Sequence, residues 1–176
     1  MDIQESVASL KAVIRDVPDF PKPGIVFKDI TTLLKNPQAF RRAMDRFTVL
    51  CGDHLADKVV AIESRGFIIG SALADRLGLG FVPVRKPGKL PGATVRRTYA
   101  LEYGEDCLEI HADALAVGER VLVVDDVIAT GGTARAAGEL VAKVGATVAA
   151  YAFLVELTFL DGRKRLDGDV LTLIRY

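Results

Sequence analysis

The densest chemical pattern in the chain runs Val121-Leu122-Val123-Val124-Asp125-Asp126-Val127-Ile128-Ala129-Thr130-Gly131-Gly132-Thr133-Ala134. It joins an aliphatic run, two adjacent carboxylates and a Gly-rich turn that opens a helix. Backbone N–H groups from Ala129 to Thr133, with the Thr130 and Thr133 hydroxyls, can converge on a phosphate at the positive end of that helix. Gly131 and Gly132 allow close backbone approach and positive φ. Adjacent acids would repel the phosphate itself, so Asp125 and Asp126 are better suited to accept hydrogen bonds from the vicinal hydroxyls of a ribose. A ribose 5-phosphate fits the whole arrangement. An acidic helix cap before a Gly turn is the bland alternative, but the complete string is more specific than either half. The patterns GxxxxGK[ST] and GxGxxG are both absent, which disfavours a P-loop enzyme and a dinucleotide-binding domain.

Two further stretches could act on such a ligand. Glu63-Ser64-Arg65-Gly66 offers a guanidinium, a hydroxyl and helix N–H groups between a buried strand and a helix start. Arg85-Lys86-Pro87-Gly88-Lys89 opens an excursion of about 30 residues between two core strands, which reads either as a solvated surface hairpin or as a lid. A lid built there would exclude water from a reactive sugar cation and bring charged groups to it on closing. Leu101-Glu102-Tyr103-Gly104 lies near its tip, and Glu102 is the candidate proton acceptor.

These residues need a frame that brings distant segments together. Ile3, Val7, Leu10 and Ile14 predict a helix over 2–15, stopped by Pro18, Pro21 and Pro23. The segment from Pro18 to Asp29 can be neither a central strand nor a helix interior, so it wraps over a surface. A second helix is expected near 37–51. Strands are expected at 59–62, 81–84, 121–124 and 148–155, with a helix over 66–77 and another that Gly145 ends. Residues 94–101 and 107–110 read as two strands turning near Gly104. Strands alternating with helices predict an α/β fold around a mainly parallel twisted sheet, with ligands beyond the carboxyl ends of its strands.

The whole chain has one-domain length: 176 residues, half of them apolar. Lys and Arg number 23 and Asp and Glu 23, so no net field draws the protein to nucleic acid or an anionic membrane. No uncharged stretch approaches the roughly 20 apolar residues of a bilayer span, and the acidic N-terminus lacks a secretory pattern. Cytoplasmic residence is the expectation. Cys51 and Cys107 form no CxxC, and His54 and His111 have no metal-ligand spacing; reduced structural thiols and no protein-ligated zinc are expected.

The strand, paired acids and TGGT loop resemble the signature of the phosphoribosyltransferases, which use 5-phosphoribosyl 1-pyrophosphate (PRPP). Pro18-Asp19-Phe20-Pro21 through Phe27-Lys28-Asp29-Ile30, Ser64-Arg65-Gly66-Phe67, Arg85 through Gly92, Leu101 through Gly104, and Val155-Glu156-Leu157-Thr158 narrow the resemblance to the members that act on adenine, from about residue 14 to the end. The resemblance implies the type I fold of that family as one domain over 1–176, with a base-binding hood over about 14–30 and a flexible lid over about 85–111. It implies transfer of the phosphoribosyl group from PRPP to N9 of adenine, giving AMP and pyrophosphate. PRPP would be held by Ser64, Arg65, Arg85, Lys86, Lys89, Asp125, Asp126, Ala129, Thr130, Gly131, Gly132 and Thr133. Backbone groups of Val26 and Lys28 would read adenine, with Phe27 and Leu157 packing on its ring. Glu102 would be the catalytic residue, with Leu101 and Tyr103 beside it in the lid. Mg²⁺ would travel with PRPP rather than in a protein cage. A homodimer is implied, with Arg85 reaching toward the partner's site. The resemblance also permits a non-proline cis peptide at Glu63–Ser64. Two departures stand out: Lys28 where many members carry Arg, and Glu63 where some carry Asp.

Three other readings fit the residues less well. A PRPP-responsive regulator would need a nucleic-acid-binding element that the neutral chain does not offer. A receiver domain would need more chain after Asp125-Asp126 than the 50 residues that follow. An enzyme for hypoxanthine or guanine would face an unpaired buried group at the base edge, costing about 1–3 kcal/mol.

Overall fold

Aliphatic runs divide the chain much as the sequence suggests, but the first helix ends at Lys11, short of the expected 2–15 and before the prolines expected to stop it, and a strand already begins at Arg15. The computed structural model describes residues 3–100 and 104–176. Leu101, Glu102 and Tyr103 lie outside the described residues. The chain divides into two compact units, residues 1–46 and residues 47–176.

In the first unit α1 (Ile3–Lys11) is followed by β1 (Arg15–Pro18) and β2 (Val26–Asp29), an antiparallel pair with Val17 opposite Phe27 and Asp16 opposite Lys28. The prolines thus permit two short strands, where only an irregular wrap was expected. Pro18 closes β1 at an edge where no ladder N–H is needed. The turn between the strands contains a cis Phe20–Pro21 bond and Asp19 at φ 56°, whose carboxylate accepts the Gly24 N–H at 2.7 Å. Phe20 meets Phe27 edge to face, centroids 5.3 Å apart. After β2, Asp29 accepts from Arg15 and from the Thr31 N–H, and hydrogen bonds from Thr31 and Arg15 hold its carboxyl at about 2. The short α2 (Thr31–Leu34), absent from the sequence reading, follows, and α3 (Pro37–Gly52) runs across the division between the units.

The second unit is built on a five-stranded sheet. Its members are β3 (Lys58–Ile62), β4 (Gly80–Val84), β7 (Arg120–Ile128), β8 (Thr147–Glu156) and β9 (Val170–Arg175), in the order β4-β3-β7-β8-β9, every neighbouring pair parallel. Val59 to Ile62 and Val121 to Val124 are all buried, the continuous apolar run of a parallel strand covered on both faces. The helices α4 (Arg65–Leu77) and α5 (Gly132–Lys143) flank it: α4 lies on β3 and β7, and α5 on β7 and β8. Gly70 allows α4 close to the sheet, because a Cβ there would stand 2.5 Å from that of Ala61. Gly145 at φ 90° follows α5, as expected of a helix-ending glycine.

Between β4 and β7 the excursion forms an antiparallel hairpin, β5 (Thr94–Ala100) and β6 (Glu105–His111), with Gly104 at φ 88° before β6. β5 packs on α5, and Arg97 pairs with Glu139 across that contact. Two 3-10 turns, Thr158–Leu160 and Gly162–Arg165, separate β8 from β9. Neither the turns nor β9 was read from the sequence. Among the described residues, no helix is long and apolar enough to cross a membrane.

Candidate active site

The strand order brings three distant segments into one row. β4, β3 and β7 are neighbours and parallel, so their carboxyl ends deliver Arg85, Glu63-Ser64-Arg65 and Asp125 onward to the same edge of the sheet. This is where ligands bind in parallel α/β sheets.

β7 is longer than the aliphatic run suggested. Asp125 and Asp126 were expected after the strand, but the backbone ladder continues through both of them to Ile128. The carboxylates end the apolar pattern without ending the hydrogen bonding. Because side chains alternate along a strand, the two acids point to opposite faces. Asp126 is buried and accepts a hydrogen bond from Arg65 Nε. Asp125 accepts the Asp126 N–H at 2.8 Å. Burial, with the neighbouring Asp126 charge, pushes the Asp125 carboxyl well above the usual carboxylate range. Gly66 makes this approach possible: a Cβ there would lie 2.7 Å from Asp125 Oδ1.

The turn after β7 forms a small concavity of about 90 Å³, lined by Asp125, Ala129, Gly131, Thr133 and Phe153 among others. Gly131 has φ 80°, and a Cβ on it would stand 2.3 Å from the Gly162 carbonyl oxygen. Only glycine fits both conditions. α5 begins at the next residue with no side-chain cap; the first-turn N–H groups of a helix have no intrahelical acceptor, and such a terminus suits an anion. Leu157, directly after β8, donates its N–H to the Ile128 carbonyl at 3.0 Å, which ties it to the base of this turn.

At the end of β3 the Glu63–Ser64 peptide is cis, as the resemblance permitted. Ser64 precedes α4 and Arg65 is its first residue. Glu63 proves to be a hub that sequence reasoning left without a role. Its nearly buried carboxylate accepts from Arg85 Nε at 2.7 Å, Lys89 Nζ at 3.0 Å and the Lys86 N–H at 3.2 Å. Burial alone would raise its pKa; the hydrogen bonds from Arg85, Lys89 and Lys86 outweigh that and hold it below the usual range. Arg85 also lies over the Phe67 ring at 5.8 Å.

The rest of the basic segment is fixed by acids from β6. The Arg85 and Glu109 backbones exchange hydrogen bonds at 2.9 and 2.7 Å, and the buried Glu109 carboxylate accepts the Gly88 N–H at 3.1 Å and pairs with Arg96 at 2.8 Å. Lys86 Nζ pairs with Asp106 at 2.6 Å, and that bond raises the lysine pKa. Asp106 and Glu109 were missed because they sit in an alternating strand where an acid reads as a solvated face. The available signal was a pair of acids placed opposite a cationic loop.

The expected site residues of the second unit therefore converge, apart from Glu102 and its neighbours, which lie outside the described residues. In the first unit Val26, Phe27 and Lys28 occupy β2, and Lys28 Nζ bonds Asp16 at 2.7 Å. Cys51 is buried, its thiol pushed up to about 12 by burial. Among the described residues no group of three or more His, Cys, Asp or Glu is placed to hold a metal ion. A donor set of two carboxylates, one of them already paired, suits Mg²⁺ bound chiefly through substrate oxygens and water.

The pattern of the phosphoribosyl transferase domain matches residues 29–172. The adenine phosphoribosyltransferase of Thermotoga neapolitana is 60% identical over 168 residues, 95% of this chain and 99% of that protein. The crystal structure of adenine phosphoribosyltransferase from Thermoanaerobacter pseudethanolicus superposes with a TM-score of 0.94 at 51% identity, covering 97% of this chain and 99% of that one. The Saccharomyces cerevisiae enzyme, complexed with an imino-altritol bisphosphate and adenine, gives a TM-score of 0.93 at 44% identity, covering 97% of this chain and 99% of that one. With the paired acids, the glycine turn and the Arg65 segment at one edge of a type I sheet, this chain belongs to the phosphoribosyltransferase family, among its adenine phosphoribosyltransferases.

Proposed function

We propose that the protein transfers the 5-phosphoribosyl group of PRPP to N9 of adenine, releasing pyrophosphate and forming AMP, a purine-salvage reaction. The observation that carries this reading is the row formed by the carboxyl ends of β4, β3 and β7, where three separate motifs meet. The 5-phosphate lies in the turn from Ala129 to Thr133, bound by backbone N–H groups and the hydroxyls of Thr130 and Thr133. Asp125 and Asp126 accept from the ribose hydroxyls, and Arg65 keeps Asp126 oriented. Ser64 and Arg65, with Arg85, Lys86 and Lys89, take the diphosphate.

Those cations are paired with Glu63, Asp106 and Asp126. Pairing holds them at the site in advance, and pyrophosphate has to compete with the carboxylates for them. Charge on the leaving diphosphate is then met by groups already in place. Mg²⁺, when bound with PRPP, neutralises diphosphate charge and orients its oxygens. Glu102 takes up the proton shed by the adenine ring. No nucleophilic side chain is required, and the buried Cys51 thiol supplies none.

The base is read by a backbone C=O and N–H of Val26 and Lys28, which match the N6 donor and N1 acceptor of adenine and leave an oxopurine mismatched. Phe27 and Leu157 contribute apolar packing. Residues 14–30 act as the hood and 85–111 as the lid of one catalytic domain. We place the enzyme in the cytoplasm as a homodimer, with Arg85 near the partner's site.

The test is product formation from PRPP and Mg²⁺ with adenine, hypoxanthine and guanine in parallel. AMP from adenine with little product from the oxopurines is expected. Product only from an oxopurine would discard the adenine reading and keep the PRPP site, while PRPP binding without product from any base would point to a regulator.

A further inference from the structure

Three side chains link the β5–β6 hairpin to the proposed phosphate turn. Tyr99 on β5 places its hydroxyl 3.3 Å from Asp106 Oδ2 on β6 and 3.3 Å from Thr133 Oγ1 in the first turn of α5. Asp106 also accepts from Lys86 Nζ at 2.6 Å and from the Cys107 N–H at 2.9 Å. Its carboxyl lies below the usual range: burial would raise it, but the Lys86 bond and the Cys107 N–H prevail. Burial raises the Tyr99 hydroxyl pKa, so both states are fixed near neutral pH: Asp106 ionised and Tyr99 protonated.

Counting hydrogens gives the direction of each bond. An ionised carboxylate only accepts, so Tyr99 donates to Asp106 and must accept from Thr133. The chain Thr133 to Tyr99 to Asp106 uses two hydrogens for two bonds. A phosphate in the turn adds a third demand, because Thr133 has a single hydrogen and the phosphate oxygens accept it. Two hydrogens cannot serve three contacts. The bond from Tyr99 to the carboxylate is charge-assisted and the stronger one, so the link between Tyr99 and Thr133 is the one lost.

Resting on the 5-phosphate reading given above, we infer that Tyr99 and Asp106 are positioning residues that latch the hairpin to the phosphate turn and release it when the 5-phosphate binds. Occupancy of the phosphate turn thereby removes the Tyr99 link between β5 and the first turn of α5. The latch works against phosphate binding in the free enzyme, because the bond it forms must be broken.

Ribose 5-phosphate, titrated calorimetrically into the full-length protein, tests this. Tyr99→Phe keeps the ring, which packs against the core, and removes the latch. It is expected to bind ribose 5-phosphate about two- to tenfold more tightly than wild type, the worth of one hydrogen bond. A residue with a merely structural role would weaken binding when replaced. Thr133→Val should bind more weakly, and adding Tyr99→Phe to it should change nothing further. Asp106→Ala gives a second route, since Tyr99 is then free to donate to Thr133; it should also tighten binding, by less when Thr133 is Val. Unchanged or weaker binding by Tyr99→Phe, with Thr133→Val weakened, overturns the latch alone. Binding unaltered by Thr133→Val and by Tyr99→Phe alike overturns the phosphate reading and the latch with it.

Discussion

Asp125 and Asp126 are adjacent in sequence, yet their surroundings divide their work. Asp126 accepts a hydrogen bond from Arg65, whereas burial, with the neighbouring Asp126 charge, raises the Asp125 pKa. A ribose hydroxyl can donate to a carboxylate or accept from a protonated carboxyl, so the proposed ribose contacts do not require the two acids to share one protonation state. Glu63, Asp106 and Glu109 show the complementary device: acids that gather cations before the anionic substrate arrives. The task proposed for Glu102 is different, proton uptake. Replacing Glu102 with Gln is expected to lower kcat about 10²- to 10⁴-fold while the KM for PRPP stays near its wild-type value. Steady-state kinetics decide this, and full turnover by the variant would remove Glu102 from the role. The paired acids and the TGGT turn were legible in the sequence because their spacing is chemically unusual. Glu63, Asp106, Glu109 and Tyr99 were not, because single acids and a tyrosine acquire meaning only from partners that the fold supplies from 20 or more residues away.

At the scale of elements, the aliphatic strands β3, β4, β7 and β8 and the helices α4 and α5 were readable from apolar periodicity and glycine placement. Boundaries were less so. The strand β7 runs on through Asp125 and Asp126 because backbone pairing with β8 does not depend on what the side chains are. α2 is only four residues long, too short for periodicity to register, and β9 is mostly half-buried and lacks an unbroken apolar run. The glycines are where sequence and element meet most closely. Gly131→Ala would place a methyl group against the Gly162 carbonyl and force a β-carbon into positive φ. It is expected to destabilise the protein by about 1–3 kcal/mol, the usual cost of such strain, and to weaken PRPP binding. Urea denaturation and a binding isotherm on the same variant check both effects; a variant as stable as wild type would show that the turn can relax.

For the whole molecule, the zero formal charge leaves anion binding to local groups, here those proposed at the carboxyl ends of β4, β3 and β7. Those groups come from segments spread from residue 64 to residue 133, so they meet only once the sheet is assembled. A homodimer is proposed; sedimentation should then give a species of about 38 kDa, twice the 19.0 kDa chain, and a 19.0 kDa species at working concentration would refute it. The central claim is that the turn after β7 holds a ribose 5-phosphate. A crystal structure of the protein soaked with ribose 5-phosphate tests it most directly: the account predicts the phosphate within hydrogen-bond reach of the Ala129 to Thr133 amides and the ribose hydroxyls on Asp125 and Asp126. A phosphate seated among Arg85, Lys86 and Lys89 instead, with the hydroxyls away from both aspartates, would contradict it.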